Sequence, residues 1–369
     1  MGAPPSSSIS VSSPGRPTAP ACTATAGSTA SSSTASARRW RPPCARSSKS
    51  PAGRRYRSAP RSRCGSTRSC SLHGSPCGPG RSCPLPERTA IVTGAGTGLG
   101  RAIAARLLRD GFRVTLTGPD GVQLTETARL APDHGELATI VVGDLRQPDV
   151  RREVIARATA GPGILFGLVN NAGLSAVEPL LDESVATWRA IFEVNLDAAF
   201  FLSQAAIEHM RPHGTGRIVN IGSIYGVVGF NNHGYGARAP MSTPGDRGPV
   251  RQSAYDASKG ALIQLTRTLA TAVGPWGITV NTVSPGHIPW ANEAAGTTPV
   301  ASAASGGAKP AALGQRVDPA ILTALAEQVP LRRTGRAAEV AGPVSFLLSE
   351  DAAYITGQNI IVDGGATVW

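Results

Sequence analysis

From Thr89 to the C-terminus, short runs rich in Val, Ile and Thr alternate with longer amphipathic stretches. The strand candidates are Thr89–Val92, Arg113–Leu116, Thr139–Val142, Ile164–Val169, Arg217–Ile221, Ile278–Val283 and Asn359–Val362. Helical stretches lie between them, as at Arg101–Arg109, Ser184–Met210, Ser253–Val273 and Ala337–Leu348. Parallel strands can be joined only by crossovers, and crossover helices cover both faces of the sheet. The alternation therefore predicts an α/β fold: one doubly wound parallel sheet with helices on both faces. Residues 85–369 are long enough to enclose one sizeable core.

The first 84 residues are a different kind of chain. They hold all six cysteines, 13 of the 36 basic residues and none of the 24 acidic ones. Ser, Pro, Ala and Arg dominate, with neither helical nor strand periodicity, so the segment is expected to be a disordered tail. No Cys-x-x-Cys spacing points to a zinc site. A targeting leader, a basic arm for nucleic acid or membrane surface, and a start site assigned too early all remain open for it. The remaining residues carry 23 basic against 24 acidic side chains. The high overall charge is thus a property of the tail, and no nucleic-acid partner is expected for the body. No run of about 20 apolar residues suggests a membrane span, and a cytoplasmic location is expected.

The first strand candidate runs into Thr93-Gly94-Ala95-Gly96-Thr97-Gly98-Leu99-Gly100 and then a helix. Glycines there allow a tight turn and a close approach of backbone to a pyrophosphate, whose charge suits a helix N-terminus. Further polar groups fall at the C-terminal ends of later strands: Asp144-Leu145, Asn171-Ala172-Gly173, Ser223 and Pro285-Gly286. That edge is where open α/β sheets bind ligands. Tyr255 and Lys259 stand four residues apart on one helical stretch, so both face the same way. A cation about 4 Å from a phenol, at an effective dielectric of about 20, favours phenolate by about 4 kcal/mol. Such a pair can move a proton near neutral pH.

Together these motifs resemble the short-chain dehydrogenase/reductase family, in its compact branch with Thr-Gly-x-x-x-Gly-x-Gly and Tyr-x-x-x-Lys. The resemblance covers the whole body, down to Val329-Pro330-Leu331 and Val362-Asp363-Gly364-Gly365. It implies a Rossmann-type sheet of about seven strands, NAD or NADP as cofactor, and hydride transfer between an alcohol and a carbonyl carbon. It makes Tyr255 the acid/base, Lys259 its activating cation and ribose ligand, Ser223 the holder of the substrate oxygen, and Asn195 the residue positioning a water next to Lys259. Cofactor contacts are implied for Thr93, Gly94, Thr97, Gly98, Leu99, Gly100, Asp144, Leu145, Asn171, Ala172, Gly173, Tyr255, Lys259, Pro285, Gly286 and Ile288. A homodimer or homotetramer built on Ser184–Met210 and Ser253–Val273 is also implied.

The chain departs from the family pattern in places. Ser223 and Tyr255 lie 32 residues apart, where the family leaves little more than a dozen. The surplus, Phe230–Gln252, is expected to lie over the substrate mouth, with His233, Arg238, Arg247 and Arg251 as its polar groups, most of them solvated. Trp290 stands where the family has a nicotinamide-holding threonine, and a long Ala/Gly/Ser stretch, Ala291–Gly314, follows. At the end of the second strand Gly118-Pro119 replaces the acid of NAD-preferring relatives, with Asp120 just beyond, so NAD and NADP both stay open. The details look most like sugar- or polyol-oxidising members such as gluconate 5-dehydrogenase-like proteins. A 3-oxoacyl-carrier-protein reductase and a non-catalytic dinucleotide sensor are the alternatives.

Overall fold

Seven strands form one sheet: β1 (Arg88–Thr93), β2 (Arg113–Gly118), β3 (Ala138–Val142), β4 (Ile164–Asn170), β5 (Gly216–Ile221), β6 (Ile278–Pro285) and β7 (Asn359–Val362). Their spatial order is β3-β2-β1-β4-β5-β6-β7, and every pair is parallel. The computed structural model describes residues 87–230, 247–289, 311–312 and 319–368; the expected tail lies outside them. The strand order reverses between β1 and β4, which opens a crevice at their C-terminal ends. The doubly wound Rossmann-type sheet expected from the alternation is the fold observed.

Eight α-helices are described: α1 (Gly98–Arg109), α2 (Gly121–Arg129), α3 (Pro148–Thr159), α4 (Val185–Phe192), α5 (Ala198–Met210), α6 (Ser253–Val273), α7 (Pro319–Glu327) and α8 (Ala337–Leu347). One face of the sheet is sealed by α1 and α8, where Ile103, Leu107, Val340 and Val344 pack on Val92 and Leu116. The other is sealed by α3, α5 and α6, where Val154, Leu202, Met210 and Leu269 pack on Leu168 and Val280. All seven residues of β4 are buried, as a central strand covered on both faces requires. The edge strand β3 leaves Ile140 and Val142 partly exposed.

The stretch expected as one helix, Ser184–Met210, is interrupted by a π-helical turn at Glu193–Asp197. Ser184 starts it by accepting a hydrogen bond from the Thr187 amide. Helical Val185–His213 is long and apolar enough to cross a membrane by composition. Here Leu202, Ala206, Ile207 and Met210 bury its inner face in the core of the sheet.

A buried polar ladder crosses the middle of the sheet. Asn170 Nδ2 donates to Asn220 Oδ1 at 2.8 Å and to Ser203 Oγ at 3.0 Å. Asn220 Nδ2 donates to Thr266 Oγ1 at 2.8 Å, and Thr282 Oγ1 donates to the same oxygen at 2.7 Å. Each bond removes a desolvation penalty, so the set fixes β4, β5 and β6 against α5 and α6 in one register.

Candidate active site

The turn after β1 is built by backbone constraint. Gly94 has φ +61°, and a Cβ on Gly100 would sit 2.1 Å from the Gly94 carbonyl oxygen. No larger residue could start α1 so close to the turn. Thr93 Oγ1 accepts hydrogen bonds from the Asn171 and Ala172 amides, both at 2.9 Å. Asn171 Nδ2 returns two, to the carbonyls of Thr93 at 2.9 Å and Gly94 at 3.2 Å. These two side chains thus clamp the β1 turn to the end of β4, across the crevice.

Thr97 caps α1 in an extended conformation with no side-chain hydrogen bond, and the first turn holds no acidic residue. Its amides and the positive end of the helix dipole suit a diphosphate, so the residues present fit a dinucleotide. Leu99 and Leu145 are buried in the core beneath this edge. Asp144 accepts from the Arg146 amide and guanidinium, and that ion pair holds its carboxyl below the usual carboxylate range. Asp120 caps α2, its Oδ1 accepting from the Val122 and Gln123 amides. The end of β2 therefore presents Gly118-Pro119 backed by a carboxylate already engaged.

Ser223 follows β5 in extended conformation and caps a short turn, accepting from the Tyr225 amide at 3.1 Å. Tyr255 and Lys259 lie one turn apart on the buried face of α6. Lys259 Nζ donates to the Ile221 carbonyl at 2.7 Å and stands 5.6 Å from the centre of the Tyr255 ring. Its side chain is 2% exposed, and burial pushes its pKa down to about 8. An ammonium has three donors, so groups entering the crevice can take those that Ile221 does not.

Asn195 sits in the π-helical turn, 1% exposed. Its Oδ1 accepts from the Leu174 amide at 2.8 Å, and its Nδ2 donates to the Leu174 carbonyl at 3.0 Å and to Ser258 Oγ at 2.9 Å. Ser258 Oγ in turn donates to the Tyr255 carbonyl at 2.7 Å. Asn195 therefore reaches Tyr255 through Ser258, a residue that sequence reasoning did not single out. The only signal was its place inside Tyr255-Asp256-Ala257-Ser258-Lys259.

Pro285 ends β6. Gly286 donates from its amide to the Val362 carbonyl at 3.0 Å, so close to Asp363 that a Cβ would meet that side chain at 2.7 Å. Ile288 packs on the α1/α8 core. His287 was also missed by sequence reasoning, and it turns an edge toward Tyr225. Gly173 lies half-buried just past β4. Trp290 and most of Ala291–Gly314 lie outside the described residues; Ala311–Ala312 pair antiparallel with Leu174–Ser175. Of the long interval before Tyr255, 231–246 lies outside them too. Arg247 pairs with Asp182, and Val250–Arg251 pair antiparallel with Glu178–Pro179. The two arginines at its end are therefore held, not simply solvated.

A dinucleotide-binding sheet with a buried Tyr–Lys pair and a serine at the same edge defines an NAD(P)-dependent oxidoreductase by its architecture. The chain belongs to the short-chain dehydrogenase/reductase family. The family model described as short chain dehydrogenase matches residues 88–237, and that described as enoyl-(acyl carrier protein) reductase matches residues 241–367. The chain is 31% identical to 2-(S)-hydroxypropyl-CoM dehydrogenase 3 of Xanthobacter autotrophicus, over 77% of its own length and 98% of that protein. It is 32% identical to galactitol 2-dehydrogenase (L-tagatose-forming) of Cereibacter sphaeroides, over 77% and 97%. A short-chain type dehydrogenase/reductase from Mycobacterium marinum superposes with a TM-score of 0.61 at 27% identity, covering 77% of this chain and 96% of that one.

Proposed function

We propose that this protein interconverts a secondary alcohol and a ketone, with a sugar, polyol or sugar acid as substrate. The observation that supports this best is the convergence of Ser223, Tyr255 and Lys259 on the sheet edge that also carries the start of α1, whose amides receive no side-chain cap from Thr97. NAD or NADP, when bound, supplies or accepts the hydride. Thr93, Asn171 and the glycine turn keep the crevice open for it. Tyr255 gives its hydroxyl proton to the ketone oxygen, or takes one from the alcohol. Ser223 Oγ gives that oxygen a second hydrogen bond as negative charge develops on it. Lys259, held by Ile221, stabilises the phenolate and offers its remaining donors to the ribose. Asn195 and Ser258 hold the helix turn that aims Tyr255; a water beside Asn195 would carry protons from Lys259 to solvent.

A carrier-protein-linked 3-oxoacyl substrate is the second reading, favoured by the description of the family model over residues 241–367. Against it, the body has 23 basic and 24 acidic residues, without the excess of positive charge that would attract an acidic carrier protein. A screen of polyols, sugar acids and 3-oxoacyl thioesters, followed by the absorbance of the reduced nicotinamide with each cofactor, separates the two. Turnover of a polyol or sugar acid is expected; turnover confined to the thioesters would favour the second reading. We also propose that copies pair through α4, α5 and α6.

A further inference from the structure

We propose that Arg251 recognises an anionic group on the substrate, so that the alcohol or ketone this site accepts also carries a carboxylate. The proposal rests on the oxidoreductase reading above and narrows its substrate class to hydroxy and oxo acids.

One wall leads outward from the serine. Tyr225, two residues past Ser223, stacks on Phe230 with centroids 5.2 Å apart and planes at 24°. His287 meets the same tyrosine ring with centroids 6.3 Å apart and planes at 63°. The guanidinium carbon of Arg251 lies 5.7 Å from the centre of the Phe230 ring. Arg251, four residues before Tyr255 in sequence, therefore stands at one end of an aromatic strip whose other end is the Ser223 turn.

The guanidinium is placed but not neutralised. One nitrogen, Nη1, donates to the Val250 carbonyl at 2.9 Å. Among the described residues Arg251 enters no ion pair, whereas Arg247 is matched by Asp182. Two carboxylates face it, Asp256 on α6 and Glu178, its partner in the ribbon, and burial disfavours the charged form of both. A half-buried guanidinium fixed by a ring and a carbonyl offers its other donors as a planar fork, which matches a carboxylate. His287, where burial lowers the pKa, adds no second positive charge. A single cation suits a monoanion better than a phosphate dianion.

The competing role for Arg251 is mechanical: fastening residues 247–251 to Phe230. The two roles separate by substrate charge. Full-length wild type, Arg251→Gln and Arg251→Lys are assayed on two matched pairs: gluconate with glucitol, and 4-hydroxycyclohexanecarboxylate with 4-(hydroxymethyl)cyclohexanol. A charge-assisted hydrogen bond predicts that Arg251→Gln raises KM for each acid about tenfold or more. kcat and the KM of the neutral partner stay within about twofold, and Arg251→Lys recovers part of the loss. Equal damage to acid and neutral partner, or no change in either, overturns the proposal. Absence of turnover with every alcohol and both cofactors would count against the oxidoreductase reading instead. Calorimetric binding in a Tyr255→Phe background with cofactor present then decides Arg251 by itself. Tighter binding of the acid than of its neutral partner, lost with Arg251→Gln, supports it; equal binding overturns it.

Discussion

Lys259 is held where burial and charge oppose each other. Its ammonium is buried and donates to the Ile221 carbonyl, and burial lowers its pKa from 10.5 to about 8. In the unfolded chain the same group keeps its proton to the ordinary lysine range. Between about pH 8 and 10.5 the unfolded state therefore binds more protons, and folding stability rises with pH across that window. Below about pH 8 the cost of burying the charge is present in full. Lys259→Met removes that cost without a large change of shape. The gap in urea midpoint between Lys259→Met and wild type should shrink as pH rises from 8 to 10.5; a gap constant over that range would contradict the burial account. Ser258 offers a second residue-scale test. Ser258→Ala leaves the buried Asn195 Nδ2 without its acceptor on α6, at a cost of about 1–3 kcal/mol. Because Ser258 also holds the Tyr255 carbonyl, kcat should fall about tenfold while cofactor affinity holds. Ser258→Thr, which keeps the hydroxyl, should recover most of it. If alanine lowers stability but leaves kcat unchanged, Ser258 only supports the fold.

At the scale of elements, the long interval before Tyr255 is tied down at its far end. Arg247 bonds Asp182 and Leu181, and Val250–Arg251 extend a two-stranded ribbon with Glu178–Pro179. Removing 232–246 spares those contacts, whereas a longer deletion through Val250 would break the ribbon. The shorter deletion should fold with an unchanged melting temperature and alter the ratio of kcat/KM between substrates; identical ratios would show that the interval plays no part in selection. The seven strands were legible in sequence because each is a compact β-branched run with its crossover beside it. The break between α4 and α5 was not. It depends on Asn195 meeting Leu174, 21 residues earlier, and Ser258, 63 residues later. The Tyr–Lys pair could be read from spacing on one helix. The strip from His287 through Tyr225 and Phe230 to Arg251 could not, because only the sheet brings those loops together.

In the molecule as a whole, a clamped cofactor side of the crevice faces a substrate side framed by loops. The clamp between Thr93 and Asn171 and the ladder from Asn170 to Thr282 hold the cofactor side of the crevice. The segments around Phe230 and Arg251 frame the substrate side. Along α4, α5 and the approach to them, Leu181, Val185 and Phe201 are apolar and exposed at 62%, 66% and 46%, a surface suited to a second copy. Light scattering should find a dimer or tetramer, and Phe201→Glu should lower the mass; a wild-type monomer at micromolar concentration would contradict the proposed pairing.

In the proposed mechanism Tyr255 moves the proton, while the rest of the site binds and orients. This division is tested most directly by comparing wild type with Tyr255→Phe, using reduced-nicotinamide absorbance for turnover and fluorescence titration for cofactor affinity. Turnover should fall about a hundredfold or more in the phenylalanine variant while the cofactor dissociation constant stays the same. Full turnover by the phenylalanine variant would contradict it.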